Sequence, residues 1–187
     1  MEPKHMPPPP TAPSRGFTLI EMMVTLTLLA ILIALVTPSF QGLLRDNRAA
    51  TQANALLGSL ALARSEAIKR NVPVVVCRSN TGTSCAGAEW EAGWIVWPDT
   101  NRSGTLNADD GDGIPEAGEE MIIEAQGALV GRFDLAAAAA AITYRPDGSP
   151  TAADAFELTP PGGDTEHGRC IEIDATGRPK VTKGACP

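Results

Sequence analysis

Hydrophobic and polar positions divide the chain into three regimes. From Phe17 to Val36 twenty residues run with a single charge, Glu21. At about 1.5 Å rise per residue such a stretch spans the ~30 Å hydrocarbon core of a bilayer, so it predicts a transmembrane helix over 17–37. Beyond Pro38 the apolar positions become one-sided. Phe40, Leu43 and Leu44, then Ala53, Leu56, Leu57, Leu60, Ala61, Ala67 and Ile68 recur at three- and four-residue spacing, while Arg45, Asp46, Arg48, Arg64, Glu66, Lys69 and Arg70 fall mainly on the other faces. This predicts an amphipathic continuation over 38–71, kinked at Pro38 and ended by Asn71 and Pro73. Glu66 and Arg70 stand at a favourable i,i+4 spacing. From Val72 the period shortens. Val72–Cys77, Gly93–Trp97, Met121–Ala125, Ile142–Arg145, Ala155–Thr159, Cys170–Asp174 and Lys180–Thr182 read as strands. Ala136–Ala141 reads as a short helix or loop insertion. One helix followed by a run of strands predicts an α+β fold: a long helix, half membrane-spanning and half amphipathic, packed on an antiparallel β-sheet head over 72–187.

Glu21 sets this stretch apart from a plain membrane anchor. An ionised carboxylate inside the bilayer costs about 2.5–3.5 kcal/mol on insertion scales and calls for a partner. The junction Arg15-Gly16-Phe17-Thr18-Leu19-Ile20-Glu21 resembles the processing site of type IV prepilins and type II secretion pseudopilins. The resemblance implies a pilin fold and removal of residues 1–16 as a leader. It implies cleavage after Gly16 by a membrane-bound prepilin peptidase, N-methylation of Phe17, and pairing of Glu21 with the Phe17 amine of a neighbouring subunit during assembly. The implied partners are therefore other pilins or pseudopilins through the N-terminal helix, the peptidase and inner-membrane lipid.

Charge and cysteine usage fit an exported head. Lys4 and Arg15 precede the apolar run and hold that end in the cytoplasm by the positive-inside bias. The head is then expected in the periplasm, and later in a pilus or pseudopilus. Pro7–Pro10 is a stiff spacer. Without residues 1–16 the chain carries thirteen basic and twenty-one acidic residues, formally −8. Cys77, Cys85, Cys170 and Cys186 all lie in the exported part, where an even count points to disulfides. The spacing favours Cys77–Cys85 and Cys170–Cys186. Zinc, the competing reading, needs close ligand pairs that are absent from this sequence.

The segment Ala61–Ile68, the tryptophan strand Gly93–Trp97 with Asp99 and Asn101 after it, and Gly177-Arg178-Pro179-Lys180 resemble the GspH/FimT branch of minor pilins. In some FimT proteins the last motif holds DNA, so the resemblance implies double-stranded DNA as a partner for Arg178 and Lys180, with Lys183 nearby. Lys180 stands where those relatives carry Arg and offers a point charge instead of a bidentate fork. The alternative is a polar hairpin end. Trp90, Trp94 and Trp97 are expected in the head core and rim.

Oxygen-bearing residues repeat in Asp99-Thr100-Asn101-Arg102-Ser103-Gly104-Thr105-Leu106-Asn107-Ala108-Asp109-Asp110 at positions one, three, five, nine and twelve, with glycine at six. This matches an EF-hand calcium loop with Asp99, Asn101, Ser103, Asn107 and Asp110 as ligands. A strand and Pro98 precede it where an EF-hand has a helix. The competing expectation is a solvated hairpin loop rich in Asx turns. Asp109–Gly113 lengthens the acidic stretch. Otherwise no cofactor is expected. Enzyme chemistry is not expected either: the histidines are His5 and His167, the latter between Asp164 and Glu166 in a polar loop, and the sequence carries no nucleophile motif or phosphate loop. The expected role is a minor type IV pilin subunit that is incorporated into or primes the pilus. The alternatives are a DNA-binding minor pilin for natural transformation and a minor pseudopilin of a type II secretion system.

Overall fold

The computed structural model describes residues 16–87, 89–107 and 120–187, and for residues 36–39 the backbone alone. The chain divides into two compact units, Met1–Gln41 and Gly42–Pro187. One helix, α1 (Leu19–Arg70), runs through the boundary and is unbroken at Pro38.

In the first unit α1 is long and apolar enough to cross a membrane, and the most apolar stretch, with mean hydropathy 2.6, is wholly exposed. Thr25 Oγ1 and Thr27 Oγ1 donate to the carbonyls of Met22 and Met23, at 3.0 and 2.7 Å, so the polar side chains of this stretch are satisfied inside the helix.

The second unit begins with the rest of α1 and adds eight strands: β1 (Val74–Arg78), β2 (Trp94–Pro98), β3 (Glu124–Gln126), β4 (Asp134–Ala137), β5 (Ala141–Tyr144), β6 (Asp154–Thr159), β7 (Arg169–Ile173) and β8 (Pro179–Lys183). They form two antiparallel sheets, ordered β3-β2-β1-β5 and β4-β6-β7-β8, where the sequence suggests a single one. The alanine run is not a helix or insertion. Ala136 and Ala137 belong to β4, paired with Glu157 and Phe156, and Ala141 opens β5. Alanine has low strand propensity, and cross-strand pairing overrides it here.

Both sheets bury one face against α1. Ala49, Ala53, Leu56, Leu60, Ala63 and Ala67 form the seam at alternating four- and three-residue steps. Its four alanines let the helix axis approach the sheets closely. The seam differs from the expected stripe: Ala61, Leu43, Leu44 and Ile68 are exposed, and Ala49 and Ala63 take the buried places. Opposite it lie Val74, Val76, Trp94, Val96, Ile142 and Tyr144 from the first sheet and Leu135, Phe156, Leu158, Ile171 and Ile173 from the second. Trp90 meets Phe156 edge to face, centroids 4.8 Å apart, and its indole donates to Ala139 O at 2.9 Å. The indole of Trp94 donates to Ser59 Oγ at 2.9 Å, which donates to Glu124 Oε1 at 2.9 Å. α1 ends where Asn71 takes φ 56°, the left-handed conformation common after a helix, and Pro73 follows.

The first sheet is covered on its other face too. Val75, Cys77, Ile95 and Trp97 form a second, smaller core closed by Leu106 and Ile122. All three tryptophans are thus core residues.

Candidate functional sites

At the N-terminal junction Gly16 has open space where a Cβ would stand, and the Phe17 side chain is 78% exposed. Glu21 N–H donates to Thr18 Oγ1 at 3.3 Å, and Thr18 N–H points back to Glu21 Oε2 at 3.5 Å. This reciprocal arrangement is a capping box, Thr at the N-cap and Glu three residues on. The spacing Thr18-x-x-Glu21 is visible in the sequence, yet Glu21 draws attention there only as an intramembrane charge.

Disulfides join Cys77 to Cys85 and Cys170 to Cys186, with Cα separations of 5.6 and 5.0 Å. These are the pairs favoured by the spacing. Cys85 Sγ also accepts from the Trp97 indole at 3.2 Å.

The corner between β7 and β8 explains its glycine. Asp174 Oδ1 accepts from Thr176 N–H at 2.8 Å, Thr176 Oγ1 at 2.6 Å and Arg178 N–H at 3.0 Å. These bonds hold the Asp174 carboxyl below its usual range, the Thr176 hydroxyl contributing most. Gly177 has φ +80°, and a Cβ there would meet the Gly148 carbonyl oxygen at 2.0 Å. That same oxygen accepts from Arg64 Nε at 3.1 Å, and Thr176 O lies 3.4 Å from this donor. Arg64 therefore does not sit on a solvated face. It crosses from α1 to pin two turns.

The three candidate DNA contacts do not form one patch. Arg178 and Lys180 are exposed at the corner and line a shallow hollow with Asp154, Glu172 and Asp174. Lys180 stands opposite Glu172 in the strand register, with charged atoms 3.9 Å apart. Lys183 lies three positions further and so faces the opposite side of β8. Its ammonium pairs with Asp46 of α1 at 3.1 Å. Asp46 also accepts from Arg169 at 3.3 Å. The Lys183 hydrogen bond is the main cause holding the Asp46 carboxyl below its usual range, with Arg169 adding to it. Beside this clamp His167 Nδ1 meets Asp164 Oδ2 at 2.8 Å, and Arg45 lies 3.6 Å from the same oxygen. His167 Nε2 is 3.5 Å from the point where a Cβ on Gly42 would stand. This His–Asp pair thus serves to dock a loop against α1.

The loop after β2 carries four of the five candidate calcium ligands. Asp110, like Asp109–Gly113, Glu2, Lys4, His5, Pro7–Pro10 and Arg15, lies outside the described residues. Gly104 N–H donates to Asp99 Oδ2 at 3.0 Å and Ser103 N–H to Asn101 Oδ1 at 2.8 Å. Asn107 uses its backbone, donating to Glu120 Oε2 at 3.2 Å. Glu120 is a residue the sequence reading missed. It closes an acidic run in which Glu119 and Glu120 are indistinguishable by pattern, yet Glu120 is 2% exposed.

Residues 52–177 match the family described as type II transport protein GspH, and residues 12–37 match the prokaryotic N-terminal methylation motif. Among curated protein sequences there is no significant match. Among solved structures, the type IV minor pilin FimU of Pseudomonas aeruginosa is similar with a TM-score of 0.53 at 16% identity, over 73% of this chain and 89% of that one. The minor pseudopilin EpsH of the Vibrio cholerae type II secretion system is similar with a TM-score of 0.51 at 12% identity, over 76% of this chain and 98% of that one. At such identities the likeness is one of fold, a long N-terminal helix with a two-sheet head. Together with the methylation motif and the family match over two thirds of its length, it makes this chain a minor pilin or pseudopilin of the GspH family.

Proposed function

We propose that the chain is a minor subunit of a type IV pilus, cut between Gly16 and Phe17 by a prepilin peptidase and methylated on Phe17. Residues 17–37 hold it in the bacterial inner membrane with the head in the periplasm. The first part of α1 then packs among other pilins in the filament or its priming complex. The observation that carries this reading is the N-terminal stretch itself: a wholly exposed apolar helix with one carboxylate, Glu21, at its start. Exposed apolar surface of this extent needs lipid or neighbouring helices to cover it. Glu21 gives the lateral contact a charge partner in the amine that cleavage creates.

The test separates processing from assembly. Gly16→Ile places a bulky side chain at the scissile bond and should leave full-length precursor on immunoblots. Glu21→Ala should be cut normally and be lost from sheared filaments. Glu21→Ala incorporated at the wild-type level would sink the pairing.

A second reading, a minor pseudopilin of a type II secretion system, draws support from the family description and the likeness to EpsH. A deletion strain decides between the two. Loss of surface pili with intact protein secretion supports the pilus, and the reverse supports secretion.

A further inference from the structure

The loop Asp99–Asn107 departs from an ordinary hairpin loop in where it puts its negative charge. Asp99 N–H donates to Pro73 O at 2.8 Å, tying the loop to the start of β1. Arg102 and Gly104 take φ 58° and 71°, which coils the backbone around its own side chains. Glu120 then closes the loop from the far side. Its Oε1 accepts from Thr100 N–H at 2.7 Å, Thr100 Oγ1 at 3.2 Å and Asn101 N–H at 3.4 Å, and its N–H donates to Asn107 O at 2.7 Å. The result is two buried carboxylates at one loop, Asp99 within it at 5% exposure and Glu120 closing it at 2%.

Among the described residues no lysine, arginine or histidine forms an ion pair with either one. Arg102, in the loop itself, is exposed. The sequence of residues 108–119 adds five carboxylates and no base. A buried carboxylate without a counter-charge is costly unless hydrogen-bond donors or a cation satisfy its oxygens.

A second observation points to the cation. Asp99 Oδ1 is buried and has no hydrogen-bond partner among the described residues, although its sister oxygen accepts from Gly104. Buried carboxylate oxygens are rarely left without a donor, and an ion is one of the few explanations for such an orphan. Other acceptor capacity on the loop is open too. Asn101 Oδ1 and Ser103 Oγ each accept one hydrogen bond and keep a lone pair, as does Glu120 Oε2. All these donors are oxygens, two of them charged, on a loop rather than a rigid cage. That set suits calcium, which takes six to eight oxygens in flexible geometry. It suits zinc poorly, for want of nitrogen or sulfur, and magnesium poorly, for want of an octahedral frame.

We propose that Asp99, Asn101 and Ser103, closed by Glu120, form a calcium site that fixes this loop, through Leu106, over the outer core of the first sheet. Glu120 supplies the second carboxylate. An affinity in the range of extracellular calcium modules, with Kd about 10⁻⁴–10⁻³ M, matches two charged ligands.

The experiment uses the detergent-solubilised full chain stripped with chelator. Terbium is added and its luminescence excited through tryptophan, since Trp97 is two residues from Asp99. Calcium is then titrated in competition and followed separately by thermal unfolding. The expected result is saturable terbium emission displaced by millimolar calcium, with a rise in thermal midpoint that equal magnesium does not reproduce. Asp99→Asn should weaken calcium binding at least tenfold. Asn101→Ala changes an exposed ligand and leaves the buried carboxylates in place, so it decides the matter if Asp99→Asn fails to fold. It should weaken binding with unchanged circular dichroism. No saturable response to terbium or calcium in the wild-type chain overturns the proposal. So does wild-type affinity in folded Asn101→Ala, whether or not Asp99→Asn folds.

Discussion

Replacing Gly177 by alanine tests whether the β7–β8 corner is built for packing. Two costs can be separated. The backbone at φ +80° is left-handed, which costs an L-residue about 1–2 kcal/mol. The added methyl would stand 2.0 Å from the Gly148 carbonyl oxygen, more than 1 Å inside the roughly 3.3–3.6 Å of a C–H···O contact. The Gly148 turn must therefore move, and with it the acceptor of the 3.1 Å bond from Arg64. A hydrogen bond to a charged donor is worth about 1.5–3 kcal/mol, so the total loss is about 2.5–5 kcal/mol. Gly162→Ala is the matched control: its φ is +91°, but no atom lies within 4 Å of the new methyl. It should lose only the backbone part, about 1–2 kcal/mol. Both variants gain equally from the stiffer unfolded chain, so that contribution cancels. Urea unfolding of the detergent-solubilised chain, followed by tryptophan fluorescence, measures the pair. Equal midpoints for the two variants would refute the argument that Gly177 is held by its contact with Gly148.

Two further outcomes follow from cross-links and charge. Replacing Cys170 and Cys186 together by serine should cost about 3 kcal/mol, and replacing Cys77 and Cys85 about 2.5 kcal/mol, from chain-entropy estimates at sequence separations of 16 and 8. Non-reducing peptide mapping checks the pairing, and a Cys85–Cys170 peptide would contradict it. The Asp46 clamp should be acid-sensitive. Its carboxyl titrates below its ordinary value of 3.8 in the folded state, so its contribution is fully present above that value and is lost as pH falls below it. Asp46→Asn should lower stability at pH 7 and flatten the decline as pH falls below the ordinary carboxylate value of 3.8, read from urea midpoints. An unchanged acid slope would exclude Asp46 as a contributor.

The long helix, its apolar half and most strands were legible because each rests on a local pattern: an uncharged run, a 3.6-residue period or a β-branched cluster. The disulfides were legible because both close short loops. What escaped depends on distant partners. Asp46 meets Lys183 across 137 positions, and no local rule links them. Arg64 looks like a solvated cation until Gly148 and Thr176 are brought beneath it. β4 is hidden because alanine signals helix in isolation, and only pairing with β6 makes it a strand. The motif around Gly177 was legible as a motif but not in its division of labour. Its glycine and Asp174 build the corner, Lys180 faces Glu172, and Lys183 turns to α1.

The sheet borders have a bearing on how such a subunit lives at high local density. Unpaired strand edges invite fusion with the next molecule, and two open sheets leave four of them: β3, β5, β4 and β8. Here β3 is only three residues, with Glu124 and Gln126 at its ends. β4 opens on Asp134, and β8 begins at Pro179 and carries Lys180 and Lys183. β5 is followed at once by the Pro146–Pro150 turn, whose Pro150 bridges back to Tyr144. Each border is thus short, charged or interrupted. Heads guarded in this way can be crowded side by side without zipping together through their strands.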